Sequence, residues 1–550
     1  MTPFTNALWP RCAAALILLV LAGCTALPRV APEPPAELAP AAAPTATPVA
    51  TSAAPAPVQP ASPLAGSGPT AAPTPAASPA GNPAWDDRSI FRRGLISSEQ
   101  GILDRLSDAS VYHISLVIGD DLTTVQGQQQ VRYTHRQRAA NQPLAPLKEI
   151  YFRLFPNATG GAMTVSAVQV DGQKAQPALE FNDTALRVPL TTPLPLSKSV
   201  VIGMEFEVRV PRELNRGYGL LSFSDDVLSL DSVYPAIPVY DDEGWNVEQP
   251  VEHADLSHFD ASLYVVRVSA PARLTLVASG NEESRERSGD RQTVTFAAGP
   301  ARDFYLAASA RYVVVSATVG ETVINSYALA DRVESAKVAL AAGVNAVKSF
   351  NARIGLYPYT EMDIASTPLL ALGIEYPGIM GLALRMYDPS QTVAGLPARA
   401  ALESVTAHEV AHQWFYNAIG NDQLDEPWLD EALAQYATGL YYLDTQGERG
   451  AQAYRESWSQ RWERVNRVAM PIGLPAASYK PQEYSAIVYG RGPLFVSALA
   501  SRMGQQTFDR FLRDYYAAYR WGIATTAGFK SLAEQHCRCD LTPLFAEWVN

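Results

Sequence analysis

Cysteine is scarce in this chain: Cys12, Cys24, Cys537 and Cys539 are the only four in 550 residues. The first two fall in an N-terminal targeting segment, and the last two are separated by one residue, a spacing that strains a mutual disulfide. No further pair exists to complete a metal site. The sequence therefore predicts a fold stabilised by its core and not stapled by disulfides. Basic charge is also in deficit, with 43 Lys and Arg against 55 Asp and Glu and a formal net charge of -12. That balance excludes the basic face a nucleic-acid partner needs. Histidine is rare, at seven, so a pair of histidines at ligand spacing carries weight. No run is long and apolar enough for a mature membrane span, since the apolar stretch at residues 13–22 is too short.

What is present begins with that stretch. Arg11 precedes it, and it ends in Leu21-Ala22-Gly23-Cys24, which looks like a bacterial lipobox. On this reading residues 1–23 are a lipoprotein signal peptide and Cys24 becomes the lipidated first residue. The protein is then extracytoplasmic and anchored to a bacterial membrane. Residues 24–88 are dominated by Ala, Pro, Ser and Thr, and the first charges after Cys24 are only Arg29, Glu33 and Glu37. Such a segment cannot bury enough apolar surface to order itself and reads as a disordered tether.

Residues 89–320 carry short alternating runs, among them Tyr112-His-Ile-Ser-Leu-Val117, Val131-Arg-Tyr-Thr134, Ile150-Tyr-Phe-Arg-Leu-Phe155 and Val201-Ile-Gly-Met-Glu-Phe-Glu-Val208. Period-two patterning between turn signals predicts a large antiparallel β domain. Asp171-Gly172 within Val168-Gln-Val-Asp171-Gly172-Gln predicts a type I′ hairpin. From residue 321 to 550 the pattern becomes mostly helical, interrupted by a strand-like piece, Met362-Asp-Ile-Ala365, and a Gly/Pro-broken segment at 372–382.

The chemistry sits in Ala407-His408-Glu409-Val410-Ala411-His412-Gln413-Trp414-Phe415. Residues 398–418 contain no Pro or Gly and are predicted helical. Four residues apart on a helix, His408 and His412 share a face and can present imidazole nitrogens to one ion. Glu409 is rotated by about 100° and flanks that ion, where it can take a proton from water. Catalytic zinc usually takes three protein ligands. Asp425-Glu426-Pro427-Trp428-Leu429-Asp430-Glu431 supplies the third: Pro427 suits the first turn of a second helix, and Glu431 follows His412 after eighteen residues. The remaining histidines, His113, His135, His253, His258 and His536, have no such setting and read as structural or exposed.

This pattern resembles the gluzincin zinc aminopeptidases of the aminopeptidase N and leukotriene A4 hydrolase type, whose mark is His-Glu-x-x-His, eighteen residues, then Glu. The flanks Gln413-Trp414-Phe415 and Trp428-Leu429-Asp430-Glu431 agree, and a looser likeness runs from Tyr112 to Trp548. The resemblance implies a thermolysin-like catalytic domain with one zinc ion per chain. It carries over two further residues. Leu372-Gly373-Ile374-Glu375-Tyr376 aligns with the family's Gly-x-Met-Glu-Asn, which gives Glu375 the substrate's free α-amine. Val488-Tyr489-Gly490-Arg491-Gly492 resembles Tyr-x-Lys-Gly, which gives Tyr489 the oxyanion and puts Arg491 in place of the Lys. The family's large helical C-terminal domain is not seen in this sequence.

The expected protein is a lipid-anchored zinc metallopeptidase acting on peptides, an aminopeptidase by resemblance. An endopeptidase or epoxide hydrolase on the same fold, or a zinc-retaining binding module, are the alternatives; the intact Glu409 speaks against the last. The anchor makes one prediction. Cys24→Ser should move the protein to the soluble fraction with unchanged specific activity, and its retention on membranes through a high-salt wash would contradict the lipid assignment.

Overall fold

A computed structural model describes residues 82–136, 145–214 and 217–550. Cys24 and the Ala/Pro-rich stretch up to residue 81 lie outside them. Among the described residues no helix is long and apolar enough to cross a membrane.

The alternating runs form the predicted β layer. Its main sheet has eight strands. At its centre Val111–Ile118 runs parallel to Ser262–Pro271 and antiparallel to Thr124–Thr134. All other neighbours in this sheet are antiparallel. Asp171 and Gly172 both have positive φ (48° and 77°), as a type I′ turn requires. Alternation sends successive side chains to opposite faces. Tyr112, Ile114, Tyr264 and Val266 fill one core. Val111, Leu263, Val265 and Ala297 join a second core that is continuous with the catalytic helices. The β layer is thus packed against the catalytic half as part of one compact unit that includes Pro83–Asn550.

The catalytic half begins with its own five-stranded sheet, ordered Tyr312–Val319, Thr322–Leu329, Glu361–Thr367, Ile379–Ala383 and Gly373–Tyr376. The boundary expected at 320/321 falls in the turn between the first two strands, both of which belong to this sheet. Gly373–Tyr376 is its edge strand, paired antiparallel on one side only, to Ile379–Ala383. Beyond it lie the motif helix, Ala398–Ala411, and the long helix Trp428–Glu463, which Pro427 precedes and which kinks at Gly447 (φ 70°).

Two expectations are corrected. The motif helix stops at Ala411 with His412 as its C-cap and does not continue to residue 418. Past His412 the four-residue hydrogen-bond pattern gives way: Gln413 and Trp414 N–H donate three residues back, and Asn417, Ala418 and Ile419 N–H five residues back. The chain turns through Tyr416 at φ 105°. Arg302, from the β layer, holds the segment that follows, donating to the carbonyls of Tyr416, Asn417, Ala418, Gly522 and Phe259. Gly420 leaves room for this contact, because a Cβ there would lie 2.2 Å from the Arg302 guanidinium carbon. Second, Cys537 and Cys539 are disulfide-bonded. Arg538 between them takes the left-handed conformation at the end of its helix (φ 53°), which brings the two Cα atoms to 5.2 Å, inside the usual disulfide range. The bridge closes only this short turn, so the core remains what holds the fold.

Arg302→Met should leave the carbonyls of Tyr416, Asn417 and Phe259 without a donor, those of Ala418 and Gly522 keeping Trp521 and Gly420 N–H, and lower the unfolding free energy by at least about 3 kcal/mol. Urea denaturation followed by tryptophan fluorescence measures this, and an unshifted midpoint would contradict the role given to Arg302.

Candidate active site

The motif helix is buried along its last turns, and it presents both histidines inward as their spacing demands. His408 Nε2 and His412 Nε2 face each other at 3.2 Å. Glu431 Oε2 lies 3.2 Å from the first and 3.6 Å from the second. The His412 Nδ1 lies 3.1 Å from the Phe415 carbonyl. A proton held there leaves Nε2 bare for a ligand bond. Glu431 comes from the first turn of the long helix, as the eighteen-residue spacing predicts.

The arrangement fits zinc. Two imidazoles on a tetrahedral ion at bonds of about 2.0–2.1 Å hold their nitrogens about 3.3–3.4 Å apart, close to the separation here. Glu431 Oε2 is buried and accepts no hydrogen bond, an expense that only a cation offsets. His408, His412 and Glu431 lie mutually within 4.8 Å. Donors of two nitrogens and one carboxylate oxygen are a catalytic zinc set.

Electrostatics point the same way. Asp255, Glu375, Glu409, Asp430 and Glu431 are carboxyl groups packed around one cleft. Burial, and then the charges of Glu375 and Glu431, hold Asp255 well above the usual carboxylate range. Burial, with the Glu375 and Glu431 charges against His412, does the same to Glu409. Glu375 is raised by burial and by Glu431, again against His412. Asp430 is pushed up to about 8 by burial and by Glu431. His408, buried and beside His412, falls to about 4. Burial alone would lower His412 too, but Glu375, Glu431 and Glu409 together raise it well above the ordinary value. The cleft demands positive charge.

The other two residues expected at the site, Glu375 and Tyr489, also meet here. Glu375, on the edge strand, has Oε1 4.0 Å from His412 Nδ1. The Gln423 amide bridges Glu375 (3.0 Å) and Asp430 (2.8 Å). Gln413 fixes the edge strand against the motif, donating to the Tyr376 carbonyl and accepting from Gly378 N–H, both at 2.9 Å. Tyr376, where the resemblance has Asn, stacks on Tyr305 of the β layer at 4.1 Å. Tyr489 sits in a π-helical turn, Ile487–Arg491, a local widening common at functional sites. Its hydroxyl donates to Glu431 Oε1. Arg491 takes no part in the cleft: it donates to the carbonyls of Met470, Glu547 and Trp548.

Several cleft residues were missed, among them Asp255, His253 and the buried Arg461. Asp255 and His253 reach in from the irregular segment between the strands Val227–Leu230 and Ser262–Pro271. The segment is tied down by Ser257 N–H donating to Gln423 Oε1 at 3.0 Å. His253 Nε2 lies 3.2 Å from the Ala476 carbonyl, and this histidine, expected to be structural or exposed, borders the site.

Fold and donor set together define a gluzincin-type zinc centre on a thermolysin-like half behind a β layer. Residues 339–548 match the peptidase family M1 domain. Among curated relatives, Aminopeptidase 2 of Candida albicans is 23% identical over 312 residues, covering 52% of this chain and 32% of its own length. Mouse Aminopeptidase RNPEPL1 is 30% identical over 160 residues, 26% of this chain and 22% of its own. The chain thus spans about a third or less of these relatives. A solved structure of an M1 zinc metallopeptidase mutant from Deinococcus radiodurans shares the fold, with a TM-score of 0.58 at 19% identity over 85% of this chain and 96% of that one.

The hydrogen bond from Tyr489 supports a ligand carboxylate from behind. Tyr489→Phe should weaken zinc binding by about 10–100-fold, read by competition with a chromogenic chelator, whereas Glu409→Gln should leave zinc affinity unchanged. Undiminished zinc affinity in Tyr489→Phe would contradict this support.

Proposed function

We propose that the protein is a zinc-dependent aminopeptidase that removes N-terminal residues from peptides. The observation that carries this reading is the pair of carboxyls that are not zinc ligands, the buried Glu375 and the half-buried Asp255, which stand in the cleft beside the His408–His412–Glu431 set. A substrate α-ammonium would complete their charge through short charge-assisted hydrogen bonds. The edge strand supplies free backbone groups on which an extended peptide can lie as an added strand. A Deinococcus M1 structure was solved with a Tyr-Ser-Ala substrate, which agrees with a peptide in such a cleft.

Zinc held by His408, His412 and Glu431 would polarise the scissile carbonyl and make water a nucleophile near neutral pH. Glu409 accepts the proton of the attacking water and returns it to the leaving amine. Tyr489, turning from Glu431, donates to the oxygen on which negative charge develops. Glu375 and Asp255 fix the amine end, and Gln423 holds Glu375 in place. We further propose, on Leu21-Ala22-Gly23-Cys24, that the protein works outside the cytoplasm on a lipid anchor.

Losing a desolvated charged partner costs about 2–5 kcal/mol, so N-acetylated peptides should be cleaved at least tens of times more slowly than free ones. Glu375→Ala should narrow that gap by slowing the free-amine substrate, with zinc content intact. Equal cleavage of both substrates by the unmutated protein would remove the aminopeptidase reading and promote an endopeptidase.

A further inference from the structure

We infer that Arg461 is the carboxylate-binding group of this cleft. The preferred substrates are then peptides in which the residue after the cleaved bond carries a carboxylate, as its own C-terminus or as an acidic side chain. This rests on the aminopeptidase reading, since the amine end sets which residue reaches Arg461. The long helix directs the guanidinium inward. Its buried residues Tyr454, Ser457, Trp458 and Arg461 recur at helical spacing, so Arg461 ends an inward stripe. It is only 2% exposed, and it lines the cleft. Among the described residues that line the cleft, it is the only Lys or Arg. Burial lowers it to about 10, so it remains a cation at neutral pH.

Its place relative to the ligand set decides what it meets. The guanidinium carbon lies 5.7 Å from the centre of the Tyr489 ring, and that ring lies 6.1 Å from the His408 ring. Glu375 is on the other flank, 4.0 Å from His412 Nδ1. The cleft therefore has an acid beside His412, the ligand set in its middle, and a cation beside Tyr489 on the His408 side. A peptide held by its ammonium at Glu375 and by its scissile carbonyl between the metal and Tyr489 brings its next residue towards Arg461. A guanidinium pairs with a carboxylate through two parallel hydrogen bonds, and the planar fork makes the pairing selective. Elsewhere in the cleft Glu375, Asp255 and Glu409 repel a carboxylate, so a substrate carboxylate has one favourable place. Stacking on Tyr489 alone would give Arg461 a packing role that needs no such substrate, and the two roles separate on substrates.

The full zinc-loaded protein is compared with Arg461→Gln and Arg461→Lys on Leu-Ala against Leu-Ala-amide, on Leu-Glu-amide against Leu-Gln-amide, and on acetyl-Leu-Ala. Zinc content and thermal melting are followed alongside. The readout is kcat/KM for the carboxylate member of each pair over its neutral partner, a ratio that general damage to the fold leaves unchanged. The unmutated protein should favour the carboxylate member of at least one pair by about 30-fold or more. Preference in the first pair places the carboxylate at the C-terminus, and preference in the second places it on the side chain. Arg461→Gln should bring that ratio to within about threefold of one, and Arg461→Lys, which keeps the charge without the planar fork, should leave it in between. Ratios near one in both pairs for the unmutated protein overturn the proposal, and so does a preference that survives in Arg461→Gln. Cleavage of acetyl-Leu-Ala as fast as Leu-Ala would remove the aminopeptidase reading and the proposal with it. Slow cleavage of the acetylated peptide with both ratios near one removes only the role of Arg461.

Discussion

Five carboxyl groups buried around one small cleft cannot all be ionised unless cations meet them. Like charges a few ångströms apart in a poorly solvated site repel by several kcal/mol per pair. Burial first, and then their neighbours' charges, hold Asp255, Glu375, Glu409 and Asp430 above the usual carboxylate range, while His412 and His408 hold Glu431 below it against its burial. The chain itself brings one buried guanidinium to the cleft, that of Arg461. His408, His412 and Glu431 lie close enough to share a dication, and on the proposed reading a substrate ammonium meets Glu375 and Asp255. The stability given up by burying those acids is, on that reading, what makes the cleft selective for metal and for an ammonium end.

Such a cleft holds its shape only if the elements around it are fixed from outside. Arg302 does this for the segment after the motif helix, where five carbonyls converge on one guanidinium and Gly420 lets it approach. Gln413 and Gln423 do it from inside, tying the edge strand to the motif and both to the loop that carries Asp255. The β layer is therefore part of the active site. Through Arg302 and Tyr305 it holds the segment after the motif helix and the edge strand, and a segment between its strands brings Asp255 to the cleft.

The legible parts were those encoded locally. His-Glu-x-x-His works within one helical turn, the eighteen-residue return to Glu431 follows from a turn and a second helix, and the Asp171-Gly172 hairpin is a two-residue code. Glu375 and Tyr489 were legible only through resemblance to a family. Asp255 was not legible at all: it lies in an irregular loop 120 residues upstream of Glu375, and only tertiary folding gives it neighbours. The end of the motif helix was missed because nothing in residues 412–418 is a helix breaker, while the guanidinium that holds the segment after it, Arg302, is about a hundred residues away. The cysteine pair was misjudged because a left-handed Arg538 is not written in propensity.

The central claim is that positive charge is shared between a metal and a substrate amine. It is tested most directly by a crystal structure of the zinc-loaded protein with a free amino acid bound, the metal identified by anomalous scattering at the zinc edge. The account predicts one zinc on His408, His412 and Glu431, with the α-nitrogen within hydrogen-bond distance of both Glu375 and Asp255 and the carboxylate towards the metal. An amino acid bound in the opposite sense, with its nitrogen away from Glu375 and Asp255, or a zinc ion held elsewhere, would contradict it.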